Sequence, residues 1–219
     1  MSDRRILVLG ASGLIGRFVA DDLRRRGFWT IGVARQFASS QRAGALDLEL
    51  PIMAMGTAEL ARLIRQREVD VVVNCLGVLQ DGPGSDTGDV HRDFVARLLA
   101  AIRDSGRAVR LVHISIPGAQ KDDRTAFSLT KREAERLIAA SGISYAILRP
   151  GFVVAPAAYG GSAMLRALAA LPVDLPAEEA GTVFQPVAVE DISATIAWLA
   201  ACDDAAAKAV TWDLMQPQA

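Results

Sequence analysis

The sequence predicts an α/β fold, a doubly wound parallel sheet of about seven strands with a small C-terminal lobe. Three observations predict it. Short β-branched runs alternate with helical stretches through residue 154, and three glycines join the first strand to the first helix. The chain is also 51% hydrophobic over 219 residues, and rich in the alanine that suits helices packed on a sheet. That length fits one domain with a substantial core. Its 24 basic and 25 acidic residues are interspersed, for a formal net charge of −1. This balance gives no footprint for nucleic acid or an anionic membrane surface. No apolar run approaches the ~20 residues that span a bilayer, and no secretory pattern opens the chain, so a cytoplasmic protein is expected. Cys75 and Cys202 have neither a metal-ligand spacing nor a disulfide framework.

Each element follows from its pattern. Ile6, Leu7, Val8 and Leu9 form a strand that stops at Gly10, and the next helix carries Ile15, Phe18, Val19 and Leu23 on one face. Arg24, Arg25 and Arg26 close that helix, where cations complement its dipole. Residues 29–34 form a second strand ending at Arg35, and residues 43–48 a short third. A helix over about 58–67 turns Leu60, Leu63 and Ile64 to one side. Residues 69–75 are almost unbroken in β-branched character, as a central parallel strand requires. A polar loop over 81–88 leads to a helix at 89–104, with Phe94, Val95, Leu98, Leu99 and Ile102 in helical period. Residues 109–115 form a strand, 125–140 a helix stopped at Gly142, and 144–154 a sixth strand interrupted by Arg149, Pro150 and Gly151. Alternation then weakens, with one helix near 162–170. Asp191 is read as the N-cap of a last helix bearing Ile192, Ile196 and Leu199, and residues 209–214 as a seventh strand. The expected organisation is a single domain over 1–219, with 155–186 as a small substrate-side lobe.

The most informative stretch is Gly10, Ala11, Ser12, Gly13, Leu14, Ile15 and Gly16. Strand, glycine turn and helix in this order suit a dinucleotide. The first glycine turns the chain, the second admits a pyrophosphate to bare backbone, and the third lets the helix lie close to the sheet. Arg35 stands about 20 residues on, where an acid would mark NAD; its planar fork suits a 2′-phosphate, with Arg17 assisting, so NADP(H) is expected over NAD(H). A surface arginine at a strand end has the same pattern. Asp47 and Leu48 would lie by the adenine, although a plain turn aspartate reads alike.

Together with Asn74-Cys75-Leu76-Gly77, Val112-His113-Ile114-Ser115, Lys131, Leu148-Arg149-Pro150-Gly151 and the stretch 185–191, this turn resembles the short-chain dehydrogenase/reductase superfamily. The likeness covers nearly the whole chain. It is to the extended and atypical branches, which include epimerase-like and NmrA-like NAD(P)H-binding proteins related to an accessory subunit of respiratory complex I. The resemblance implies a Rossmann fold and a cofactor lined by Cys75, Leu76, Gly77, Lys131, Pro150 and Gly151. It puts Ser115 near the family's catalytic serine or threonine. The family's acid/base pair is a tyrosine followed four positions later by lysine; here the pair is Phe127 and Lys131. In that mechanism lysine lowers the phenol pKa from ~10 and holds the nicotinamide ribose. A phenylalanine transfers no proton, so cofactor binding is better supported than the family's catalysis.

His113 reads as a core histidine, whereas His91 opens a helix that faces the cofactor cleft in relatives. Tyr159, beside Gly160 and Gly161, either reaches the nicotinamide or packs. Three functions follow. The first is an oxidoreductase acting on a small organic or quinone-like substrate. The second is a catalytically impaired redox sensor or complex-assembly module with a protein partner, which Phe127 favours. The weakest is a nucleotide-sugar epimerase or dehydratase, for which the region after 154 is small.

Overall fold

Alternation of side chains along the strands decides the architecture. In the computed structural model, which describes residues 4–38, 45–77, 88–118, 123–157, 161–171, 185–202 and 208–215, β1 (Arg5–Leu9) sends Ile6 and Val8 to one face and Leu7 and Leu9 to the other. β4 (Val71–Asn74), β5 (Arg110–Ile114) and β6 (Tyr145–Pro150) divide in the same way, with Val72, Leu111 and Ile147 on one side and Val73, Val112 and Leu148 on the other. A strand apolar on both faces must be covered twice. α2 (Thr57–Gln66), α3 (Phe94–Asp104) and α4 (Ala126–Ala139) cover the first face through Leu60, Ile64, Leu98, Ile102 and Ile138. α1 (Leu14–Arg25) covers the other through Val19 and Leu23, beside the last described helix, α6 (Val189–Ala201), which brings Ile192, Ile196 and Leu199. Each such side chain, fully buried, contributes about 1.5–3 kcal/mol.

With β2 (Trp29–Ala34), β3 (Leu48–Glu49) and β9 (Ala209–Leu214), these strands form a seven-stranded parallel sheet in the order β3-β2-β1-β4-β5-β6-β9. This is the doubly wound, Rossmann-type fold the alternation predicts. The order reverses between β1 and β4, where loops from neighbouring strands part and leave a crevice at the carboxyl edge.

Four expectations change. The expected sixth strand divides, because the chain switches sheets at Gly151. Gly151 N donates to Leu214 O at 2.9 Å in the main sheet, and Phe152 N donates to Gln185 O at 2.9 Å outside it. Residues beyond this point form β7 (Phe152–Val154), paired in parallel with β8 (Pro186–Ala188). The third strand is only Leu48–Glu49, and residues 43 and 44 of the expected stretch lie outside the described residues. The helix expected from 89 opens as a π-helical turn, Asp89–Asp93, before α3. Asp191 is not an N-cap: Ala188 holds that place, and Asp191 lies in the first turn, where its charge still favours the helix dipole. Of the expected lobe, α5 (Gly161–Ala169) is described. Tyr159 and all of residues 172–184 lie outside the described residues.

Candidate active site

The turn from β1 into α1 forms one wall of the site. Gly10 has φ +82°, a left-handed conformation that lets the chain leave the strand at once, and the amides of Gly10 and Ala11 both donate to Val33 O. A Cβ on Gly16 would stand 2.3 Å from Gly10 O, so α1 approaches β1 this closely only with glycine there. Gly13 takes the N-cap position without a side-chain cap, and no acid stands in the first turn. The first N–H groups of a helix have no partner inside it. Here the residues that carry them, Leu14 and Ile15, line a cavity of about 520 Å³.

That cavity collects most of the expected residues. Gly13, Leu14, Ile15, Gly16, Cys75, Leu76, Gly77, Ser115, Lys131, Pro150 and Gly151 line it, with Phe127 beside Lys131 on α4. Ile114, Ile116, Pro117 and Val153 complete the wall. No local pattern singles out these four, because they come together only where three strand ends converge. Gly10, Ala11 and Ser12 form the turn, and Ala11 borders a separate small crevice with Arg17, Arg24, Phe37 and Asp47. The Asp47 carboxylate accepts from Gly32 N at 2.9 Å and from Arg24 Nη2, so it ties β2 to α1. Leu48 packs on the core, and Arg35 is exposed just past β2.

Beneath the cavity lies a buried polar cluster. Asn74 Oδ1 accepts from Leu76 N at 3.1 Å, which leaves its amide to donate to His113 Nδ1 at 3.1 Å. His113 is therefore the core histidine the sequence suggests. Burial holds its pKa well below the ordinary range, helped by the charges of Lys131 and His91. His91 Nδ1 lies 2.9 Å from Thr130 Oγ1; because that hydroxyl gives its own proton to Ala126 O, the histidine is the donor. A Cβ on Gly77 would lie 3.6 Å from both His91 Nε2 and Lys131 Nζ, which puts His91 behind the wall rather than on it. Its ring meets Phe127 edge-on at 5.3 Å.

Lys131 is buried and lines the cavity; its ammonium donates to Ile114 O at 2.9 Å and reaches Leu76 O at 3.5 Å. Burial lowers its pKa to about 8, against the opposing charges of Cys75 and Glu135. The Cys75 thiol is pushed up to about 12 by burial, despite Lys131. Ser115 N donates to Leu148 O at 2.7 Å; its buried Oγ completes no well-formed hydrogen bond among the described residues, yet it bears on the Glu135 carboxylate closely enough to help hold that pKa down.

Glu135 joins the elements behind Ser115. It receives Arg149 Nε at 2.9 Å and Nη2 at 2.6 Å, and Arg132 Nη1 at 3.2 Å. Burial pushes its carboxyl up, but these hydrogen bonds and charges, with the Ser115 hydroxyl, outweigh burial and leave the pKa lowered. Arg132 also donates to Ile116 O, Pro117 O and Gly118 O, and to Asp123, which fixes the loop after β5. Sequence reasoning missed this network; the spacing of Glu135 three residues after Arg132 was its local signal.

The family model described as the NAD dependent epimerase/dehydratase family matches residues 6–207. Over 164 residues the chain is 32% identical to a chloroplastic divinyl chlorophyllide a 8-vinyl-reductase of Cucumis sativus, covering 68% of this chain and 38% of that protein. Over 184 residues it is 27% identical to a dTDP-6-deoxy-L-talose 4-dehydrogenase (NAD(P)(+)) of Kitasatospora kifunensis, covering 76% and 57%. The chain thus spans less than two thirds of either relative. A UDP-glucose 4-epimerase of Thermus thermophilus, solved with NAD, has the same fold: TM-score 0.74 at 19% identity, over 98% of this chain and 78% of that one.

Proposed function

The chain belongs to the NAD-dependent epimerase/dehydratase family, and from that premise we propose that it binds a nicotinamide dinucleotide and acts as an oxidoreductase on a small organic or quinone-like substrate. One observation carries the reading. The uncapped, acid-free first turn of α1 opens onto the same cavity as Lys131 and Ser115. A helix N-terminus of this kind suits a pyrophosphate, because free N–H groups and the helix dipole both favour an anion.

When bound, the dinucleotide would supply hydride chemistry. Gly13, Leu14, Ile15 and Gly16 would hold its phosphates, and Cys75, Leu76, Gly77, Pro150 and Gly151 would wall in its nicotinamide half. Lys131 would hold the ribose hydroxyls. Phe127 has no proton to give, so Lys131, near neutral in pKa, is the proton source. The Ser115 hydroxyl, on the cavity wall, would hold the reacting oxygen. Arg35, exposed past β2, supports a preference for NADP(H).

Calorimetry with NADPH and NADH tests the reading. A Cβ at Gly13 meets only Gly10 O, at 3.3 Å, so Gly13→Val should fold yet fill the space before the helix terminus. Loss of binding in a folded variant is expected; unchanged affinity would remove the cofactor from this turn. A nucleotide-sugar epimerase or dehydratase is the second reading, favoured by the family itself and by the sugar-nucleotide relatives. Conversion of UDP-glucose, followed by NMR, would establish it.

A further inference from the structure

With a dinucleotide on the glycine side, which this inference takes from the reading above, the wall left for a substrate is hydrocarbon: Ile114, Ile116, Pro117, Phe127 and Val153. The described polar side chains on the lining are Cys75, Ser115 and Lys131, and the lysine ammonium is already directed at two carbonyls. Arg132 and Arg149 lie behind the wall, held by Asp123, Glu135 and backbone oxygens. The sequence segments next to the strand ends carry no net positive charge; residues 119–124, after β5, contain Lys121 and Arg124 against Asp122 and Asp123. Residues 155–184 contain one basic residue, Arg166, against Asp174, Glu178 and Glu179, and Arg166 donates to Ala155 O and Pro156 O. Residues 78–88 contain Asp81 and Asp86 and no base.

We infer that the substrate of this site is an apolar, uncharged carbonyl compound. A phosphate or carboxylate placed against this wall would lose its hydration with no guanidinium among the described lining residues to receive it, and with the Lys131 ammonium already held by two carbonyls. A hydrocarbon chain gains from every methylene it lays on Ile116, Phe127 and Val153. In the reduction, a bound reduced dinucleotide would supply the hydride for the carbonyl carbon, and the C=O π pair would move onto oxygen. The oxygen then takes a proton from the Lys131 ammonium. The products are an alcohol and the oxidised dinucleotide, and the neutral lysine recovers a proton from solvent.

The test is a binding series on the full chain saturated with NADP+, which reduces no aldehyde. Propanal, butanal, pentanal and hexanal are titrated by calorimetry, alongside succinic semialdehyde and UDP-glucose. Affinity is expected to rise about fourfold for each added methylene. Succinic semialdehyde should bind on the order of tenfold more weakly than butanal, and UDP-glucose should not displace hexanal. Val153→Lys, which puts a cation on the wall, should narrow the gap between butanal and succinic semialdehyde. Tighter binding of either anion than of hexanal, or no dependence on chain length, would overturn the inference while leaving the dinucleotide in place. A chain that binds no NADP+ would instead overturn the dinucleotide reading, and this inference with it.

Discussion

Phe127 and Lys131 face one cavity from successive turns of α4, and the chemistry turns on what the first of them lacks. A positioned general acid contributes about 10²–10⁴ in rate. Phe127→Tyr restores a hydroxyl one turn before the ammonium and is expected to raise NADPH oxidation with hexanal about 100-fold. Steady-state kinetics of both proteins decides it. No gain, with cofactor binding intact, would favour a sensor or assembly role. Lys131 adds a pH signature. Its ammonium, with pKa about 8, is the proton donor below that value, so the parent rate should fall as pH rises through 8. Stability runs the other way. Folding lowers this pKa from 10.5 to about 8, so between those values the unfolded chain binds more protons and stability rises with pH. A rate that stays flat to pH 10 would assign the proton to another group.

At the scale of elements, the Arg132, Glu135 and Arg149 network ties α4 to the end of β6 and to the loop after β5. Removing one member of a buried ion pair strands the others, at about 3 kcal/mol. Glu135→Gln should therefore lose roughly that much stability in urea at pH 7. The folded pKa of Glu135 is lowered, so its contribution is complete above the ordinary carboxylate range and is lost as pH falls through the folded value. The gap between parent and variant should close on acidification; a gap constant with pH would mean that packing, not charge, is responsible. The full network was not legible in the sequence, because Arg149 comes from β6 while Arg132 and Glu135 share α4, and charge alone does not fix which pairs meet across elements. The helices and central strands were legible, since period and β-branched runs are local. The sheet switch at Gly151 was not: Arg149, Pro150 and Gly151 read as an interruption within one strand, and only contact with Gln185 divides it in two. Nor could pattern place Asp191, because an acid suits an N-cap and a first turn equally.

At the scale of the whole molecule, the strand order decides where a long ligand would lie. β2 and β3 are on one side of the reversal and β5 and β6 on the other, so a dinucleotide spanning the α1 terminus would direct one half toward Arg35 and the other toward Lys131. The glycine turn was readable as residues. The cavity that joins it to Ser115, Lys131 and Val153 arises only when the sheet assembles. A ligand that binds only the folded chain raises its stability by mass action, by about 2.7 kcal/mol at a hundredfold excess over Kd. For a domain of this size that is about 5–10 °C in Tm. If the Arg35 fork grips a 2′-phosphate and gives NADPH a tenfold advantage, NADPH should exceed NADH at equal concentration by about 3–5 °C. Arg35→Ala should bring the NADPH curve down to that of NADH and leave the NADH curve where it was, because the 2′-hydroxyl offers no charge to lose. Equal shifts in the parent chain would assign the preference elsewhere. An equal fall for both cofactors in the variant would mean that Arg35 supports the fold of the β2 end instead of reading the phosphate.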